Sequence, residues 1–164
     1  MRSAQLRVRR SLVAAVAAGL ALTATPATAH TPPAPGTNAP VKVTLKVQGP
    51  DGVLFQGKVR TRGHDVTTAT GGTHRCDGTN NGAHPSAVPT PTAALDDAAR
   101  KHRFTWDGAY YPAFDDYFVQ TIKNVSGTAT AYWNISVNGT PTPVGGCQFK
   151  LAAGDQVAFT WTTF

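Results

Sequence analysis

The sequence predicts a mainly β fold, a β-rich α+β domain: a small antiparallel sheet with one short helix near residues 92–102, pinned by a disulfide. Three observations predict it. All nine acidic residues are Asp, so Glu, a good helix former, is absent. The 164 residues include 16 Gly and 12 Pro, and both types interrupt helices. Several segments alternate apolar and polar residues with the period of two that marks a half-buried strand.

The first 29 residues read as a secretory signal peptide. Arg2, Arg7, Arg9 and Arg10 precede an apolar run, Leu12 to Leu22, and Ala27-Thr28-Ala29 supplies a small-residue exit. Secretion with cleavage after Ala29 is expected. The apolar run is shorter than the roughly 20 residues a membrane span needs, so the mature protein is expected to have no span. The leader also accounts for the charge. The chain has 15 Lys+Arg against 9 Asp, a net +6; with the four leader arginines set aside, 11 remain against 9. That balance leaves no electrostatic footprint for nucleic acid, and no nucleic-acid partner is expected. His30 to Pro40 contains four prolines and reads as an extended linker, which places a single domain at 41–164.

Val41–Gln48 alternates cleanly, with Val41, Val43, Leu45 and Val47 on one face and Lys42, Thr44, Lys46 and Gln48 on the other. Gly49-Pro50-Asp51-Gly52 reads as a turn, and Val53–Thr61 as the return strand of a hairpin. Residues 63–92 are polar, rich in Gly and Pro, and read as a long loop. The helix is expected over Thr92–His102, capped by its first Thr, with Asp96-Asp97 toward the positive end and Arg100-Lys101-His102 toward the negative end. Strands are expected near Arg103–Trp106, Tyr117–Ile122, Ala131–Val137, Cys147–Leu151 and Gln156–Thr162, with a hairpin turn at Asn138-Gly139.

Cys76 and Cys147 are the only cysteines, and in an exported chain a disulfide between them is the default. The alternative is a metal or nucleophile site using Cys76 with His74 or His84. It lacks the three or four ligands at set spacings that a structural zinc site brings, so no metal is expected. His30, His64 and His102 read as solvated.

Aromatic residues are concentrated late in the chain. Of 14, only Phe55 precedes residue 104, and Phe104–Phe118 holds seven. Phe104, Trp106 and Phe118 are expected in the core. Tyr110 and Tyr111, in a stretch bounded by Gly and Pro, are candidate binding residues together with Trp106, Asp115 and Asp116, because flat rings beside carboxylates suit sugars, corrinoids or peptides. As a pair, Asp115-Asp116 on a strand would point to opposite faces, which suits neither a glycosidase nor a calcium loop; a solvated or turn-capping role is expected. The motifs G-x-S-x-G, S-x-x-K and H-E-x-x-H are absent, so no catalytic residue is assigned.

Tyr132-Trp133-Asn134-Ile135-Ser136-Val137-Asn138-Gly139, then Gly145-Gly146-Cys147, then Gly154-Asp155-Gln156-Val157-Ala158-Phe159-Thr160-Trp161 resembles the transcobalamin carboxy-terminal-like domain family. The match covers residues 104–164 and extends more weakly to Val41. The resemblance implies a small secreted β domain. In cobalamin carriers the related domain covers one face of the corrinoid beside a helical domain for which this chain has no room. The matching residues are turn and core elements, so no ligand contact carries over. The expected function is a non-catalytic binding or accessory module for an extracellular ligand or protein. A corrinoid-like small-ligand carrier is the alternative, with cobalamin implied by the family alone, and a minor secreted hydrolase is the third reading.

Overall fold

The computed structural model describes residues 38–164. The signal-peptide reading of 1–29, and most of the 30–40 linker, lie outside the described residues. Asn38 is clamped to the domain: its amide donates to Gly63 O at 2.8 Å and its Oδ1 accepts from Gly63 N at 2.7 Å.

The described elements run β1 (Val41–Gly49), β2 (Gly52–Thr61), β3 (His64–Thr68), β4 (Gly72–Cys76), α1 (Pro91–His102), β5 (Trp106–Tyr111), β6 (Asp116–Ile122), β7 (Val125–Ser126), β8 (Ala131–Val137), β9 (Thr140–Pro141) and β10 (Gln156–Thr163). A five-stranded sheet has the order β2-β1-β10-β8-β9. Its pairings are antiparallel except β1 with β10, which is parallel, from Thr44↔Gln156 to Gln48↔Thr160. A parallel pair cannot be closed by a tight turn. Here the whole chain between the two strands is the crossover, and it builds a three-stranded sheet β5-β6-β7, the hairpin β3–β4 and α1.

The alternation in β1 does what its period requires. Val43, Leu45 and Val47 are buried, and so are Val59 of β2, Val157 and Phe159 of β10, and Trp133 and Val137 of β8. Ala94, Leu95 and Ala98 of α1, and Val119 and Ile122 of β6, close over them from the inner side. At the β8–β9 corner Asn138 and Gly139 both take positive φ, 53° and 82°, as a type I′ hairpin turn needs. The Asn138 side chain also holds the start of β10, donating to Asp155 Oδ1 and accepting from Gln156 N.

Several sequence expectations need correction. The 63–92 segment is not all loop: His64–Cys76 forms the β3–β4 hairpin. The remainder is tied down by Asp77, which accepts from Thr79 N and Oγ1, and by Val88 N donating to Asp77 O. The strand expected at 103–106 is displaced to Trp106–Tyr111, because Arg103 caps the helix in the left-handed conformation (φ 56°). Cys147–Leu151 is a turn rather than a strand, with Gln148 N and Phe149 N both donating to Gly145 O. Finally, α1 begins at Pro91, so Asp96 and Asp97 fall beyond its first turn, which holds no acid.

The cap is Thr90, not Thr92. Thr90 Oγ1 accepts from Ala93 N at 3.4 Å and donates to Cys76 O at 3.1 Å. Thr92 is buried inside the helix, with a hydroxyl that has no partner among the described residues. Thr90→Ala removes the cap and strands a buried donor and a buried acceptor together. It is expected to cost about 2 kcal/mol, read as a lowered urea midpoint with an unchanged slope.

The disulfide Cys76–Cys147 is formed, between two buried residues 71 positions apart. It joins the end of β4 to the 145–148 turn. Val66, Ala93 and Tyr117 pack around it as a second small core.

Candidate functional site

Three short segments converge beside Cys147. The first is the turn between β5 and β6. Phe114 N donates to Tyr111 O and Asp115 N to Pro112 O, and Asp115 takes φ 47°, so the turn is tight and lifts Phe114 into solvent. The left-handed conformation is uncommon for a residue with a Cβ. Two short hydrogen bonds hold Asp115 in it: Tyr110 OH donates to Oδ1 and Asn81 N to Oδ2, both at 2.6 Å.

The second segment is the start of β6. Asp116 is 6% exposed. Its Oδ1 accepts from Tyr117 N at 2.7 Å, and both its oxygens lie 3.1 Å from Cys147 N. The third is the 142–148 segment, which docks on the first two. Gln148 Nε2 donates to Phe114 O, and Gly145 lies so close to Asp116 that any Cβ there would fall onto the carboxylate.

Between these segments lies a cleft of about 600 Å3. Its lining includes Tyr111, Phe114, Phe118 and Val144, which are 48%, 67%, 48% and 45% exposed, and Asp116 is its one carboxyl group. Large apolar side chains left this open, around one buried polar group, make the usual composition of a ligand pocket, whose volumes run from about 300 to 1,000 Å3. Burial pushes the Asp116 carboxyl up to about 7, and the neighbouring Asp115 charge adds to the rise, against the pull of the Cys147 and Tyr117 N–H groups. Near neutral pH this group is therefore poised between a carboxylic acid and a carboxylate.

Of the five candidates, Tyr111 and Asp116 line the cleft. Asp115 and Tyr110 support it from behind. Tyr110 stacks on His74 with centroids 3.5 Å apart and rings 4° from parallel, and burial, with the bond to Asp115, pushes its hydroxyl up to about 12. Trp106 does not line the cleft; its indole N–H donates to Asp96 Oδ1 at 3.2 Å. Of the solvated or turn-capping role expected for Asp115 and Asp116, the solvated alternative is overturned, since both are buried and hydrogen-bonded. Phe118, expected in the core, faces the cleft. The signal lay in the period of two: Tyr117 and Val119 are buried, so Phe118 between them points the other way. Phe114 belongs to the ring cluster at 104–118 but was not singled out within it, and Val144 and Gln148, in turns, carried no sequence signal.

His64 also departs from expectation. Its Nε2 lies 3.1 Å from Asp96 Oδ2, its Nδ1 2.8 Å from Arg62 O, and Arg100 Nη2 bridges to Asp96, Asp97 and the imidazole. The bond to Asp96 raises the His64 pKa against the opposing effect of burial. The cluster clips β3 to α1. Among the described residues no group of three or more His, Cys, Asp or Glu could hold a metal ion, and no helix is long and apolar enough to cross a membrane.

A domain of unknown function, DUF4430, matches residues 94–163. No curated protein matches the sequence. Among solved structures the fold is similar to haptocorrin in complex with Cbi, with a TM-score of 0.52 and 11% identity over 77% of this chain. The chain spans about a quarter of that protein, 26% of its length. A protein from Ruminococcus gnavus described as a candidate metal-binding protein aligns at a TM-score of 0.42 and 11% identity, over 76% of this chain and 98% of its own.

Proposed function

We propose that this chain is a secreted, non-catalytic binding module whose cleft beside Asp116 takes a small ligand with a broad apolar face. In this reading residues 1–29 are removed as a leader, 30–40 form a linker, and 41–164 are the working domain. One observation carries the proposal: the cleft of about 600 Å3 exposes Tyr111, Phe114, Phe118 and Val144 around one buried carboxyl. Open rings beside a group that can donate or accept a proton supply area and orientation together. The disulfide supports an oxidising destination. The non-catalytic reading is supported by the state of the two carboxylates, because both oxygens of Asp115 and both of Asp116 already accept hydrogen bonds from the protein.

A second reading narrows the ligand to a corrinoid. Its support is the likeness in fold to haptocorrin, which is in complex with Cbi.

Native mass spectrometry of protein taken from culture medium, followed by a cobalamin titration read in the visible spectrum, tests both. A one-to-one small-molecule adduct on the wild type that is absent from Phe114→Ser/Phe118→Ser is expected. Both side chains are exposed, so this double variant is expected to keep its stability within about 0.5 kcal/mol per site. A cobalamin spectral shift would favour the corrinoid. No adduct and no shift at saturating protein would sink the cleft as a binding site.

A further inference from the structure

The outer face of the five-stranded sheet has a composition that the cleft does not use. Its five strands contain no acidic residue at all, while β1 and β2 contribute Lys42, Lys46, Lys58 and Arg60. Register puts these four on one face. Lys42 lies opposite Arg60, Thr44 opposite Lys58, and Lys46 opposite Gln56. Val43, Leu45, Val47 and Val59 occupy the other face and are buried in the core, so the four cations point outward. None of the four makes an ion pair with a described residue. The nine Asp lie elsewhere, in turns and in β3, α1, β5 and β6. Two of them lie one residue from a strand of this sheet: Asp51, exposed in the turn between β1 and β2, and Asp155, occupied in its own turn by Ala152 N and Asn138 Nδ2.

The same face continues across β10 and β8. Gln156, Thr160 and Thr162, then Asn134 and Ser136, lie on it by register. All are partly or fully exposed, and no described element covers them. It ends at Tyr132, opposite Thr162, which stacks on Phe164 with centroids 4.9 Å apart. Strand spacing and rise put the Tyr132 platform roughly 16 Å from Lys46.

We infer that this sheet face binds an anionic polysaccharide lying across the strands. The occupant follows from the chemistry. Four unpaired cations with no carboxylate among them are complementary to a chain of anionic groups. Amides and hydroxyls between the cations and the rings match sugar hydroxyls, and the Tyr132–Phe164 pair offers an apolar platform to a sugar face. Single-stranded nucleic acid is bound through successive stacking rings along a basic groove, and this face has one ring cluster at its far edge. A membrane surface favours several inserted large apolar side chains, and the basic half of the face exposes a single one, Val53, opposite Gln48.

Affinity electrophoresis through heparin and through polygalacturonate tests the inference, with methyl-esterified polygalacturonate as the uncharged control. The wild type is expected to be retarded by both polyanions in 50 mM NaCl, released in 300 mM NaCl, and unaffected by the ester. Lys42→Gln/Arg60→Gln is expected to weaken retardation at least tenfold. Lys101→Gln/Lys150→Gln removes the same charge elsewhere and is expected to change it less than twofold. Tyr132→Ala is expected to weaken retardation at unchanged salt dependence, and Phe114→Ser/Phe118→Ser to leave it intact. All the Lys and Arg replaced are exposed or half-buried on the surface, and matching melting temperatures confirm that the variants fold. Failure of both polyanions to retard the wild type overturns the inference. So does equal weakening in the two charge variants, or tighter binding to poly(dT) or phosphatidylglycerol vesicles than to either glycan.

Discussion

The Cys76→Ser/Cys147→Ser protein is expected to lose about 4 kcal/mol of unfolding free energy. The bridge closes a ring across 71 residues of sequence, and loop-closure entropy for that length gives this figure. A domain of this size has only about 5–15 kcal/mol in total, so the variant should be largely unfolded at moderate urea. The local consequences point the same way. Gly78 N donates to Cys147 O, Cys147 N donates to the Asp116 carboxyl, and Thr90 caps α1 while bonded to Cys76 O. Freeing the two sulfurs therefore loosens the 77–90 segment, the helix start and the cleft wall together. Urea titrations of the variant, and of wild type with and without reductant, measure the effect. A loss below about 1 kcal/mol would show that the second small core holds these segments without the bond.

The second large effect is a fall in stability as pH rises from 4 to 8. Asp116 titrates at about 7 in the folded protein and near the ordinary carboxylate value, 3.8, in the unfolded chain. Between those values the folded state keeps a proton that the unfolded state has released. The stabilisation is complete below about 3.8 and is lost progressively until pH passes about 7. Its full size is on the order of 4 kcal/mol. His64 acts in the same direction. Its raised folded pKa makes the contact with Asp96 fully stabilising below about 6.5, and that contribution is lost as pH rises through the folded value. Melting temperatures across this range should fall in the wild type and flatten in Asp116→Asn, where the amide oxygen can still accept from Tyr117 N. An identical slope in both proteins would remove Asp116 from the account.

These two features were unequally legible in the sequence. A single pair of cysteines in a chain whose first 29 residues read as an export leader needs no structure to suggest a bridge. The ionisation of Asp116 could not be read, because it depends on burial by distant segments and on Cys147 N, 31 residues away at the start of what read as a strand. Elements with a strong period were read closely: β1, β2, β6, β8 and β10 all lie within a few residues of expectation. The β3–β4 hairpin was missed because Gly71, Gly72 and the run of Thr obscure its alternation, and its partner Tyr117 lies about 45 residues downstream. At the cleft, the cluster of rings from 104 to 118 drew attention to the right stretch. Which rings face outward was decided by tertiary contacts. Tyr117 OH lies 2.8 Å from both Val66 O and Gly72 O, which turns that ring inward and leaves Phe118 outside.

The parallel contact between β1 and β10 has a kinetic meaning. Thr44 pairs with Gln156, so the middle of the main sheet cannot close until more than a hundred intervening residues have been made and gathered in. Non-local pairing of this kind folds slowly, because the loop entropy is lost before the contacts form. During synthesis the first hairpin would wait, with Val43, Leu45 and Val47 uncovered, for a strand still on the ribosome. A chain in that condition remains threadable, and it also remains exposed to aggregation. In the proposed reading of residues 1–29 as a leader, late closure of the sheet would keep the polypeptide extended until it has crossed, and let the cysteines meet only on the far side.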